Sequence, residues 1–176
     1  MEIRAARSGD EHGIAKVHVE SWETTYRGLF PDEILDNQSL DQRIRLWHEI
    51  FRRGDSFTYV AVDEGADIVG FVSGGPNRDI EAFPEFMGEL YAIYILKAFQ
   101  RSGTGRKLTE ALMREFLLQN VTSMMLWVAK GNEAEAFYKS TGGTKLTEEI
   151  KEFRGHPIVH IAYGWPDIRT ILGIKR

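Results

Sequence analysis

The stretch from Glu89 to Phe116 constrains this chain most. A β-rich run, Glu89 to Leu96, leads into Gln100-Arg101-Ser102-Gly103-Thr104-Gly105, after which Leu108, Ala111, Leu112 and Phe116 recur at helical spacing. A strand ending in a glycine-bearing turn at a helix start is an anion-binding device. The first amides of the helix lack acceptors, point one way and carry partial positive charge. Glycines let the backbone approach the anion closely. Two familiar phosphate motifs fail on the same residues. A Walker loop needs Gly-Lys followed by Ser or Thr, whereas Gly105 is followed by Arg106, Lys107 and Leu108. A dinucleotide fingerprint needs a third glycine where Leu108 sits.

The rest of the chain supplies a framework around this segment. Ile3 to Ala5 reads as a strand. Ser8 with Glu11 fits a capping box opening a helix whose buried stripe is Ile14, Val17, His18, Ser21 and Trp22. Periodicity breaks over Tyr26 to Pro31, and Ser39 with Gln42 opens a second helix with Leu40, Ile44, Trp47 and Phe51 on its apolar face. Phe57 to Val62 and Ile68 to Ser73 form a hairpin about a polar turn, with Gly74-Gly75-Pro76-Asn77 expected to close its second strand. Met124 to Ala129 is an apolar run of strand length. Asn132 and Glu135 cap a short helix through Phe137 that ends at Gly142-Gly143, and Thr144 to Glu149 with Ile158 to Tyr163 form a last strand pair stopped by Pro166.

Gln-x-x-Gly-x-Gly between an apolar strand and a helix resembles the signature of the GNAT acetyltransferase superfamily, where it holds the pyrophosphate of coenzyme A. Asn132 to Gly143, with Ala136, Phe137, Tyr138 and a terminating glycine, resembles that family's second coenzyme A segment. The order of elements agrees over nearly the whole chain. The resemblance implies an α/β (α+β) GNAT fold over residues 1–176: a mixed, mostly antiparallel twisted sheet of six to seven strands, flanked by helices and splayed between the fourth and fifth. It implies acetyl-CoA as cofactor, held by the backbone of Ile93, Tyr94 and Ile95, by Gln100, Arg101, Ser102, Gly103, Thr104, Gly105, Arg106 and Lys107, and by Asn132, Phe137 and Lys139.

The implied reaction moves an acetyl group to a primary amine. An alkyl amine is protonated at neutral pH, with a pKa of roughly 10, so the site needs a proton acceptor. Glu89 at the start of the central strand is the candidate base, directly or through water, and Tyr138 the candidate acid for the departing thiolate. His18-x-x-Ser21-Trp22-x-x-x-Tyr26-x-Gly28-x-x-Pro31 is similar to the first-helix region of members near the spermidine/spermine acetyltransferase branch. On that likeness Trp22 and Tyr26 line the acceptor pocket, where they offer aromatic faces to a cation. Glu20, Glu23 and Glu89 would suit a polyamine, but small amines, amino acids and peptide amines remain open. The competing reading is a non-catalytic acyl-CoA-binding regulatory domain.

Composition narrows the partners. The net charge of −4 argues against a broad nucleic-acid face. With no cysteine, disulfides, thiolate metal sites and a cysteine acyl-enzyme are excluded. Met1-Glu2-Ile3-Arg4 lacks the apolar core of a signal peptide and no apolar run reaches membrane length, so a cytoplasmic protein without membrane contact is expected. His156 and His160 lie roughly 13 Å apart along one strand, too far for one metal ion; no metal is expected. The last strand pair, Ile158 to Tyr163, is expected to offer an edge for a homodimer.

Overall fold

Alternating apolar residues from seven segments meet in one sheet. The computed structural model describes residues 1–36 and 38–174. β1 (Glu2–Ala5), β2 (Phe57–Val62), β3 (Ile68–Pro76) and β4 (Gly88–Ile95) are antiparallel neighbours in chain order. β5 (Met124–Ala129) runs parallel to β4; β6 (Thr144–Phe153) and β7 (His156–Trp165) complete the order β1-β2-β3-β4-β5-β7-β6. The mixed, mostly antiparallel seven-stranded sheet expected from the sequence is therefore present.

Helices cover both faces. α1 (Glu11–Tyr26) and α3 (Leu40–Arg53) pack Ile14, Val17 and Trp47 against Val60 and Phe71. A short α2 (Asp32–Leu35), unforeseen in the sequence, lies between them and buries Ile34 and Leu35. On the other face, α4 (Thr104–Leu118) sets Leu108, Leu112, Met113 and Phe116 against Val72, Leu90 and Leu126, and α5 (Ala134–Ser140) adds Tyr138 to the same core.

Local chemistry explains where the chain departs from its sequence pattern. The second capping box forms as expected, with Gln42 N–H donating to Ser39 Oγ at 3.3 Å. The first does not. α1 starts at Glu11 because Asp10 gathers Arg7 N–H at 2.8 Å and the Arg4 guanidinium at 2.7 and 2.9 Å, while Glu11 takes Gly9 N–H at 2.7 Å. The Glu11 carboxylate reaches back to Gly9 and not to Ser8, and no side chain caps the helix start.

Gly74 and Gly75 do not end β3 but pair with Leu90 and Glu89. They are glycines because a Cβ at Gly74 would stand 2.7 Å from Glu89 O and 2.9 Å from Leu112 Cδ2. The last strands are longer than expected, ten residues each, and join through Arg154 and Gly155 at φ of 49° and 80°, a two-residue turn suited to a tight hairpin. This hairpin also corrects the expected edge. Ile158 to Tyr163 is enclosed between β5 and β6, and the free edges are β1 and β6.

α1 carries an imidazole into the core. His18 is 8% exposed, its ring stacks on Tyr94 at 5.0 Å, and Nδ1 has no partner. Burial, then the charge of Arg43, pushes its pKa down from 6.5 to about 3. The group is neutral when folded and free to protonate when unfolded, so its stabilising effect is complete above pH 6.5 and lost progressively toward pH 3. Each pH unit in that window should cost on the order of 1 kcal/mol. Urea unfolding of wild type and His18→Phe at pH 7, 6, 5 and 4 isolates this contribution from that of the carboxylates. A wild-type-minus-variant difference that stays flat with pH would refute a buried neutral His18.

Candidate active site

β4 and β5 pair only at Gly88 with Met124 and Glu89 with Met125. Ser123 stitches this closed end: Met87 N–H donates to Ser123 Oγ, Gly88 N–H to Ser123 O and Ser123 Oγ to Glu85 O, each at 3.0 Å. Gly88 has no room for a side chain, since a Cβ would meet Phe116 at 2.8 Å and Val121 at 2.9 Å. Beyond these pairs β4 continues with β3 and β5 with β7, so the two strands part and each leaves a backbone edge on the gap. Ile93, Tyr94 and Ile95 line β4 in this parted half. The β3–β4 register slips between Ser73 and Gly74, leaving Tyr91 without an opposite residue. Such a bulge re-aims the strand beside the gap.

α4 begins at the open end. Gly103 is its N-cap at φ 84°, and Arg101 also takes a left-handed φ of 57°, a costly choice for a residue with a side chain. Lys107 N–H makes the first bond of the helix, to Gly103 O at 3.1 Å, so the amides of residues 104–106 project from its end. Gln100 Nε2 binds Ile95 O at 2.9 Å, and Ser102 Oγ binds Phe99 O at 2.7 Å and Thr104 Oγ1 at 2.9 Å; these side chains shape the turn. Gly105 lets the helix close on β4, its absent Cβ standing 3.3 Å from Ile95 Cδ1. The first turn carries Arg106 and Lys107, both exposed, and no acid. Cations at the positive end of a helix are unfavourable alone and favourable beside a bound anion, so the donor set fits a pyrophosphate.

The second segment meets the first. Asn132 Oδ1 accepts Ala134 N–H at 2.9 Å, and Glu135 accepts Gly131 N–H at 2.8 Å and the Tyr163 hydroxyl at 3.0 Å, which fixes the entry to α5. Arg101 pairs with Glu133 at 3.0 Å, joining the two segments across the mouth of the gap. Phe137 is half-buried and Lys139 exposed on α5.

Side chains from three elements face each other near the gap. The Tyr26 and Tyr94 hydroxyls lie 3.1 Å apart, and Tyr138, 6% exposed, approaches from α5. Burial raises the pKa of Tyr138, and the neighbouring Tyr26 raises it further. Trp22 lies behind Tyr26 at 4.5 Å between ring centroids and is itself packed among Phe30 and Phe153.

At the closed end Glu89 is 2% exposed and held by Arg78 alone through three bonds: backbone N–H and Nε to Oε2 at 3.0 Å, and Nη2 to Oε1 at 2.5 Å. A cavity of about 410 Å³ opens over it, walled also by Tyr91, Trp127, Lys151 and His160. A larger hollow of about 500 Å³ between Arg7, His48 and Thr58 shares no lining residue with it. Arg78 and the Tyr94 phenol were not foreseen as side chains of the site. Arg78 lies outside any motif, and Tyr94 entered only for its backbone. Among the described residues no group of three metal-ligating side chains occurs, and no helix is long and apolar enough to cross a membrane.

Known proteins share this arrangement. Residues 17–142 match the model of the acetyltransferase (GNAT) family. The chain is 36% identical over 172 residues to the uncharacterised N-acetyltransferase YuaI of Bacillus subtilis, covering 97% of this chain and 96% of that protein. Among solved structures, a ribosomal-protein-alanine N-acetyltransferase from Brucella melitensis superposes with a TM-score of 0.72 at 24% identity, over 94% of this chain and 99% of that one. A PaiA N-acetyltransferase from Thermoplasma acidophilum, solved with coenzyme A, superposes at 0.67 and 18% identity over 91% and 96%. With the family model spanning the parted strands, the glycine turn and α5, and a relative matching end to end, this chain belongs to the GNAT family of acetyltransferases.

Proposed function

We propose that the chain transfers an acetyl group from acetyl-CoA directly to a primary amine, with Tyr138 as proton donor and Glu89 as proton acceptor. One observation carries this reading: the α4 helix start, with its glycine turn and acid-free cationic first turn, stands at the open end of the β4/β5 gap. A pyrophosphate at residues 101–107 then directs the rest of the cofactor along the exposed edge of β4. Asn132, Phe137 and Lys139 form the facing wall. When bound, acetyl-CoA supplies the acetyl group activated as a thioester.

The chain's own groups meet the two needs of the reaction. Within 93–95, the amides that alternate away from β3, those of Ile93 and Ile95, are preorganised to stabilise the oxygen on which charge develops. Tyr138 remains protonated because burial opposes its anion, so its hydroxyl is available to the sulfur as the C–S bond breaks. Tyr138 sits in a desolvated place, and a thiolate released beside it would have its proton affinity raised by the same burial. Glu89 sits beside the cavity at the closed end, but Arg78 occupies both its oxygens, which favours proton removal from the amine through intervening water. Tyr26 edges the acceptor side with Trp22 supporting it from behind.

Thiol release from acetyl-CoA, measured against polyamines, amino acids, aminoglycosides and peptides, tests the reading. Turnover with at least one amine is expected. Tight coenzyme A binding without turnover on any acceptor would return the regulatory alternative. Tyr138→Phe should lower kcat by roughly 10²-fold, the usual contribution of a placed proton donor. Its affinity for coenzyme A, from calorimetry, should stay within about twofold, since the phenol is not placed on the pyrophosphate turn. Wild-type kcat in that variant would remove the role of Tyr138.

A further inference from the structure

Arg43 is a half-buried cation without a counter-charge among the described residues. It projects from α3 over the face of Trp22, its guanidinium carbon 5.6 Å from the ring centroid. Its side-chain bond runs from Nη2 to Gln38 Oε1 at 2.9 Å, a neutral acceptor. Among the described residues no carboxylate pairs with it. Burial lowers its pKa, and Arg154, the second cation of this wall, lowers it further against the opposing influence of Tyr94. A half-buried cation that also feels the exposed Arg154 is unfavourable unless something negative sits beside it.

Three acids of α1 and the α2 segment are committed to another arginine. Glu23, Asp32 and Asp36 converge on Arg27 at 2.6, 3.3 and 3.5 Å. The α1 surface beneath Arg43 instead holds polar atoms without partners: His18 Nδ1, Ser21 Oγ and Trp22 Nε1, on residues 8%, 1% and 9% exposed. The place is also one ring removed from the gap, since Trp22 touches Tyr26, whose hydroxyl meets that of Tyr94. Arg154 belongs to the β6–β7 turn, beside Phe153, which packs on Trp22.

We infer that Arg43, assisted by Arg154, binds a carboxylate carried by the amine acceptor, which makes the substrate class amino acids or other amino-carboxylates and not polyamines. The inference rests on the acetyl-transfer reading and deepens it. A guanidinium fork matches a carboxylate in two-point geometry, and the aromatic floor excludes water from the pair. A polyamine would bring more positive charge to a wall that already has an excess of it.

The test compares thiol release for α-amino acids, their α-carboxamides, putrescine and spermidine. Wild type should favour acid over amide by about tenfold or more in kcat/KM, the effect of losing one charged hydrogen-bonded pair. Arg43→Met should bring that ratio near one without moving the KM for acetyl-CoA. Arg154→Asn, which tolerates the left-handed turn, should reduce it in part. Calorimetric titration with N-acetyl amino acids and their amides gives a second readout that needs no turnover. Polyamines preferred over acids by wild type, or an acid-to-amide ratio unchanged in both variants, overturns the inference while leaving acetyl transfer intact. Acid-selective binding with no thiol release from any amine would instead uphold the carboxylate site and sink the transfer reading.

Discussion

Everything in this molecule depends on two parallel strands that pair for two residues and then separate. β4 and β5 are pinned at Gly88 and Glu89 by Ser123 and by the absence of a side chain at Gly88, and beyond that point each keeps only its outer neighbour. A parted pair inside a sheet exposes backbone donors and acceptors that folding normally satisfies, at a cost comparable to lost hydrogen bonds. Such an opening persists because both strands are held from outside, by β3 on one side and β7 on the other. A ligand that lies along β4 as another strand would supplies the missing partners. The family's cofactor chemistry is in this sense a repair of the sheet.

The same separation links the two faces. α1 and α3 sit on one side and α4 and α5 on the other, so phenols from opposite layers, Tyr26 and Tyr138, come within electrostatic influence of each other. Charge is distributed to match. The cationic start of α4 lies at the open end and the Arg78–Glu89 pair at the closed end, with a desolvated aromatic stretch between them. Arg78 engages both oxygens of the buried Glu89, and a cavity opens beside the pair.

The glycine turn before α4 was legible in the sequence because backbone geometry dictates the residue type there. Left-handed turns and close helix approach demand glycine at fixed spacing, and Gly103 and Gly105 stand where the pattern placed them. The seven strands and four longer helices followed from periodicity for the same reason. Failures arose where a long-range contact overrode a local signal. Gly74 and Gly75 read as a terminator; instead Gly74 admits Glu89 O and Leu112, and Gly75 admits the Tyr91 hydroxyl and Asp55 O. Ser8 read as a cap, but with Asp10 fixed by Arg4 from β1 and Glu11 turned back to Gly9 the helix starts at Glu11. The order of β6 and β7 has no local signature, since either strand of a hairpin can face the sheet.

The acceptor half was illegible for a different reason. Its wall joins α1, the segment leading to α3 and the β6–β7 turn, three pieces distant in sequence whose side chains obey no common spacing. Trp22 illustrates the difficulty. As a letter it suggested an aromatic face open to a cationic substrate, whereas in the fold Arg43 already covers that face and the indole serves as its platform. The charge presented over Trp22 is thereby positive. A surface that would attract an ammonium group when bare becomes one that attracts an anion once an arginine lies on it. A single stacked guanidinium thus sets the local charge of this wall against the overall negative charge of the chain.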